Sequence, residues 1–121
     1  MKFFADSYAL VEYFKGNSHY LKYIDENEIV TTTLNLMELF YSALSDQGLE
    51  KAEEYFSAAR KFTIEITDEH FKEACRFRFA HRGKNISYID ALGYIIAKTQ
   101  SARFLTGDSA FKGMENVEWV K

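Results

Sequence analysis

The chain contains no proline, so no helix in it need be interrupted by a residue that lacks an amide proton. It contains one cysteine, Cys75, which excludes an internal disulfide and any zinc site built from several thiolates. A single cysteine fits a reducing cytoplasm. No apolar run approaches the roughly 18 residues of a membrane-spanning helix. Met1-Lys2 leads straight into a short strand-like run ending at Asp6, a pattern without the apolar core of a signal peptide. The expected location is therefore cytoplasmic, away from any membrane. Charge of one sign is scarce as well. With a formal net charge of −3, the chain as a whole does not attract polyanions, so contact with nucleic acid must be local or helped by metal ions.

What is present is apolar and aromatic. Of the 121 residues, 47% are hydrophobic and 17% aromatic. That length suits one domain, which buries about two thirds of its unfolded surface and needs no staple. Lys2 to Asp6 reads as a short strand ending in an acid. The helix after it places Leu10, Val11 and Phe14 on one face and meets a stop at Gly16-Asn17. A second helix, about Ser18 to Glu26, would bury Tyr20, Leu21 and Ile24. Ile29 to Thr32 is β-branched and reads as a strand. A helix follows from Thr33 to Gln47 and ends at Gly48, and an exposed amphipathic helix begins at Leu49. Phe62 to Ile66 alternates as a strand would. Thr67 caps a further helix with Phe71, Ala74, Cys75 and Phe79 facing inward, closed by Gly83 and Asn85. Arg103 to Thr106 reads as a strand, Ser109 to Lys112 as a turn or short helix, and Val117 to Val120 as a last strand. No repeat, linker or low-complexity segment divides the chain. Strands separated by helical patterns predict an α/β three-layer sandwich, with a mainly parallel central sheet of about four to five strands flanked by helices.

Two helices hold isolated acids. Between Thr33 and Ser45 the apolar residues cover nearly the whole circumference at about 100° per residue. A narrow polar strip remains, made of Asn35, Glu38, Ser42 and Ser45. Such a helix is expected to be buried, with Glu38 facing a small polar opening, where an unpartnered carboxylate is costly. In the stretch Ser87 to Gly107, Ser87 serves as a helix N-cap and Asp90 falls three residues later. Asp90 is the only charge from there to Ala97, and Gly93 and Ala97 share its side. In parallel sheets functional groups gather at the carboxyl ends of strands. Asp6 ends the first strand, and Asp108 lies two residues past a later one. Asp6, Glu38, Asp90 and Asp108 can thus meet at one edge of the sheet. Four carboxylates at close range stay ionised together only with cations among them, and all-oxygen sites suit Mg²⁺ or Mn²⁺. The corresponding chemistry is phosphodiester hydrolysis by a metal-activated water. Each acid also has a local role open to it: Asp6 as N-cap, Asp90 in a capping box, Asp108 as a turn residue or cap.

Four segments, FFADSYALVEYF, LNLMELFYSAL, ISYIDALGYIIA and FLTGDSAF with VEWV, together resemble the PIN domain along the full chain. The pattern is an Asp-Ser at the end of the first strand (Asp6-Ser7), a helical Glu (Glu38), an Asp near a helix start (Asp90), and Thr-x-Asp with a Phe soon after (Thr106, Asp108, Phe111). The resemblance implies a Mg²⁺- or Mn²⁺-dependent ribonuclease, most often the toxin of a VapBC-type toxin–antitoxin pair. It implies Asp6, Glu38, Asp90 and Asp108 as catalytic metal ligands, with Ser7 and Thr106 as polar support. It also implies a homodimer, an RNA substrate and a cognate antitoxin.

An RNA-facing surface is sought where cations and aromatics interleave. Arg76, Arg78, Arg82 and Lys84, with His81, fall in RFRFAHRGK; a solvated helix end, its cations suited to the helix dipole, gives the same pattern. His19, His70 and His81 show no metal-ligand spacing and are expected at the surface or rim. Cys75 reads as core, and Tyr13, Tyr41 and Tyr94 as packing residues. Two other readings differ in class. A non-catalytic PIN-like module would bind RNA or a protein partner, but has no reason to keep four mutually repelling acids. A phosphoacceptor receiver domain would need an acid pair where Phe4 and Ala5 stand.

Overall fold

Strand β1 (Lys2–Ala5) divides the hydrophobic core. Phe3 and Ala5 point to one face of the sheet and Phe4 to the other, as the two-residue period of a strand requires. The computed structural model describes residues 1–121. β2 (Glu28–Val30), β3 (Arg103–Thr106) and β4 (Val117–Trp119) complete a sheet of order β2-β1-β3-β4, parallel throughout. Helices α1 (Ser7–Phe14), α2 (Ser18–Asp25), α3 (Thr33–Gln47) and α4 (Leu49–Ala59) cover the face of Phe3. Helices α5 (Asp68–Ala80) and α6 (Tyr88–Thr99) cover the face of Phe4. This is the expected three-layer α/β sandwich, with four strands.

The central pair sets the geometry that matters. β1 and β3 run side by side with Ala5 opposite Leu105, so the chain leaves both strands at one level, through Asp6 and Thr106. α6 lies on this pair through Gly93. A Cβ there would sit 2.7 Å from the Phe4 ring and 3.0 Å from that of Phe104. Alanine is favoured over glycine in a helix by about 1 kcal/mol, but overpacking a filled core costs about 1–3 kcal/mol. Gly93→Ala is therefore expected to lower stability by about 1 kcal/mol in urea unfolding. A gain would show that the rings move aside freely.

Three expectations are corrected. Phe62 to Ile66 is not a strand. A 3-10 turn spans Arg60–Phe62, followed by one parallel bridge between Thr31 and Thr63. The Thr31 N–H donates to the Phe62 carbonyl and the Ile64 N–H to the Thr31 carbonyl, both at 3.0 Å. The ladder stops there because Thr32 already caps α3 and offers no further strand. Second, α3 is not buried all round. Leu36, Leu39 and Ala43 are buried, whereas Met37, Tyr41 and Leu44 are exposed, so Tyr41 is no packing residue. Tyr94 is buried and Tyr13 half-buried, bonded to Asp25 at 2.6 Å. Third, on α5 only Ala74 of the four expected residues faces the core, while Phe71, Cys75 and Phe79 are exposed. The inward ridge continues through Phe77, which stacks on Tyr94 with ring centroids 4.8 Å apart.

Candidate functional site

Asp6 follows β1 and caps α1. Its Oδ1 accepts the Ala9 N–H at 2.8 Å and its Oδ2 accepts the Thr106 hydroxyl. The carboxylate is nevertheless buried, with 1% of the residue exposed. Thr106 Oγ1 in turn accepts the Asp108 N–H at 3.0 Å, so one hydroxyl joins the ends of β1 and β3. Asp108 Oδ1 accepts the Ala110 N–H at 2.9 Å and caps the 3-10 turn Ser109–Phe111. The peptide between them must be Gly107, because a Cβ there would stand 2.6 Å from the Val120 carbonyl.

Asp90 is the third residue of α6. Its N–H donates to Ser87 Oγ at 3.1 Å, the first half of a capping box. Glu38 stands in the second turn of α3 and accepts the Ser7 hydroxyl at 2.5 Å. Ser7 also accepts from Asn35 Nδ2 at 3.0 Å, and Asn35 Oδ1 accepts the Thr32 hydroxyl at 2.7 Å. The chain Thr32–Asn35–Ser7–Glu38 thus locks the start of α3 to the start of α1.

Asp6, Glu38, Asp90 and Asp108 all line one open pocket of about 620 Å³. No lysine, arginine or histidine lines it. The four carboxylates share the pocket without three of them converging on a single point, a spread consistent with mutual repulsion. Burial, the largest cause, pushes Asp6 up to about 8, and the negative charges of Asp90 and Asp108 add to it. The bonds from Thr106 and Ala9 pull the other way and are outweighed. Asp90 is raised to about 6, first by burial and then by Asp108, with Glu38 adding and the Ser87 hydroxyl opposing. Hard oxygen donors with no basic side chain among them are a donor set that fits Mg²⁺ or Mn²⁺.

Three residues in or behind the pocket escaped sequence reasoning. Asn35 was seen only as part of a polar strip; it lies behind the pocket wall, 1% exposed, and supports Glu38 through Ser7. Tyr8 and Glu12 lie on the pocket wall one turn apart on α1. The one signal available was their own i, i+4 spacing, which puts Tyr8 and Glu12 on a common face of α1. Glu12 pairs with Lys15 at 3.7 Å and accepts a hydrogen bond from the Asn17 amide at 2.9 Å. The basic cluster lies outside this pocket. Arg76 pairs with Glu73 and, at 3.4 Å, with Glu69; Arg78, Arg82 and Lys84 line a separate depression.

Residues 3–117 match the family model of the PIN domain, and the chain belongs to that family. Among solved structures it is similar to a DNA-bound VapBC complex from Salmonella typhimurium, with a TM-score of 0.76 and 16% identity over 99% of this chain and 97% of that one. It is similar to VapBC2 of Rickettsia felis bound to a promoter DNA fragment, with a TM-score of 0.75 and 18% identity over 99% and 98%. It is also similar to a sarcin–ricin-loop-cleaving toxin of Mycobacterium tuberculosis, with a TM-score of 0.74 and 14% identity over 95% and 98%. Identities this low show a shared fold. No curated protein matches the sequence.

Proposed function

We propose that this PIN domain is a divalent-metal-dependent endoribonuclease, the toxin of a toxin–antitoxin pair, working as a cytoplasmic homodimer that a cognate antitoxin inhibits. The observation that carries the reading is the meeting of Asp6, Glu38, Asp90 and Asp108, from four separate parts of the fold, in one pocket that Glu12 also lines and no basic residue enters. A purely structural role gives no reason to gather acids that, without a cation, must take up protons to coexist. The VapBC complexes among the fold's neighbours support the toxin and antitoxin parts.

Asp6, Glu38, Asp90 and Asp108 would hold Mg²⁺ or Mn²⁺. When bound, such an ion supplies the charge that activates an attacking water and steadies an in-line displacement at phosphorus. The protein supplies position. Thr106 holds Asp6 and Asp108 at a fixed spacing across the two central strands. Ser7 orients Glu38, and Asn35 orients Ser7. The pocket is open, which suits a polymer that must enter sideways.

The test is thermal unfolding of the wild type and Asp90→Asn, with chelator and with excess Mn²⁺, alongside RNA cleavage. Mn²⁺ should raise the wild-type Tm, because a ligand of the native state alone stabilises by mass action. In chelator, Asp90→Asn should match or exceed the wild type, by about 1–2 kcal/mol once partial exposure is discounted, and its response to Mn²⁺ should shrink. A variant that loses up to about 1 kcal/mol, with no change in metal response, would reduce Asp90 to a cap. It would also turn the reading toward a non-catalytic binding module.

A further inference from the structure

A second pocket, of about 270 Å³, opens where α5 runs into α6. Between Glu73 and Asp90 the chain carries four cations and no acid. Arg76 is neutralised by Glu69 and Glu73. The other three, Arg78, Arg82 and Lys84, line this pocket, and no carboxylate pairs with them. Arg78 is held in place: its Nε donates to the Ile86 carbonyl at 2.9 Å, and its guanidinium lies 4.1 Å from the Tyr88 ring centroid. Arg82 donates to the Phe79 carbonyl at 2.9 Å and lies 4.5 Å from that ring. Both rings face water, Phe79 at 69% and Tyr88 at 66% exposure. The donors that these backbone anchors leave unused are available to a ligand.

We infer that this pocket is a subsite for single-stranded RNA, with phosphates on Arg82 and Lys84 and a base stacked on Tyr88. The inference rests on the nuclease reading and deepens it. The acid pocket repels a polyanion, so a strand crossing it needs a cationic hold nearby. The subsite is two residues from that pocket along the chain, since Tyr88 opens the helix that carries Asp90. Fixed cations set beside exposed rings match the alternation of phosphate and base in an unpaired strand. Arg76, spent on two glutamates, has no part in it.

The test is fluorescence anisotropy of a labelled single-stranded oligoribonucleotide, in EDTA so that the strand stays whole, across a salt series. Wild type is compared with Arg82→Ala/Lys84→Ala and with Tyr88→Ala, all at exposed positions. Hydrolysis of bis(p-nitrophenyl) phosphate with Mn²⁺ is measured in parallel. The double variant should bind about tenfold more weakly, with its log–log salt slope reduced by about 1.4, or about 0.7 for each of two phosphates. Tyr88→Ala should weaken binding about tenfold at every salt concentration, with an unchanged slope. All three proteins should hydrolyse the small diester equally. RNA affinity unchanged in both variants, with hydrolysis intact, would overturn the subsite alone. Loss of a dimer by the variants in size-exclusion chromatography, without loss of RNA affinity, would make this face a self-association surface and overturn it too. No hydrolysis by the wild type would instead overturn the nuclease reading beneath it.

Discussion

Asp6→Asn should abolish RNA cleavage and at the same time stabilise the metal-free protein. On the proposed reading Asp6 would hold the catalytic ion, and losing such a ligand forfeits several kcal/mol of transition-state stabilisation, so a rate loss on the order of 10³-fold is expected. The stability change has the opposite sign because Asp6 is a buried acid pushed up to about 8, mainly by that burial. At pH 8 a protein without metal carries the cost of holding this group part-charged beside Asp90 and Asp108. The amide removes that cost. Its oxygen keeps the Ala9 N–H cap, while its NH₂ faces a Thr106 oxygen that already accepts from Asp108. One pKa unit is about 1.4 kcal/mol, and the imperfect contact to Thr106 offsets part of the gain. A net rise of about 2 kcal/mol at pH 8 is expected. Urea unfolding in chelator measures the gain, and RNA cleavage with Mn²⁺ measures the loss. If the variant were less stable, the hydrogen bonds of Asp6 would outweigh its charge, and the acid would be chiefly a structural cap.

The second large effect is an inverted pH dependence. Asp6 and Asp90 both have folded-state values above the ordinary carboxylate value of 3.8, at about 8 and about 6. The native protein therefore holds more protons than the unfolded chain between those limits, and stability falls as pH rises. The contribution of Asp90 is complete below about 4 and lost by about pH 6; that of Asp6 is lost by about pH 8. Without metal, the wild type should melt higher at pH 5.5 than at pH 8. Asp6→Asn/Asp90→Asn should flatten that difference, which isolates the two groups from the rest of the chain. Mn²⁺ should act the other way. Its ligands must shed their protons, so the Tm increment from Mn²⁺ should be small at pH 5.5 and largest at pH 8. Equal increments at both would show that these carboxyls are not the groups that bind the ion.

The elements that carry the acids were legible because each is marked by a local signal. A short apolar run ending in Asp-Ser gave the end of β1, and Thr-x-Asp gave the exit from β3. Ser87 with Asp90 marked the start of α6. What stayed hidden was rotation. α3 has apolar residues on nearly every side, so its periodicity has no phase. Packing against α1 and α4 decided that Leu39 and Ala43 would be buried and Tyr41 exposed. α5 bears two apolar stripes, and the sequence does not say that the ridge of Ala74 and Phe77 prevails over that of Phe71 and Phe79. Residues 63–66 alternate as a strand should, but pairing also needs a neighbour, and Thr32 had already turned the chain into α3. Asn35 was unreadable for another reason. Its task is to hold Ser7, 28 positions away, and no local pattern encodes a bond at that distance.

The hydroxyl that joins Asp6 to Asp108 belongs to a residue 100 positions beyond Asp6. β1 is the first element of the chain, yet it lies between β2 and β3 and is complete only when both have arrived. Contacts so distant in sequence form late, and synthesis delivers the N-terminal segments first. A ribosome making this protein thus holds a chain whose acidic site does not yet exist, up to the codon for Asp108. The order of the strands thus sets a sequence for the pocket itself: its last carboxylate joins the others only after β1, β2 and β3 have all been synthesised.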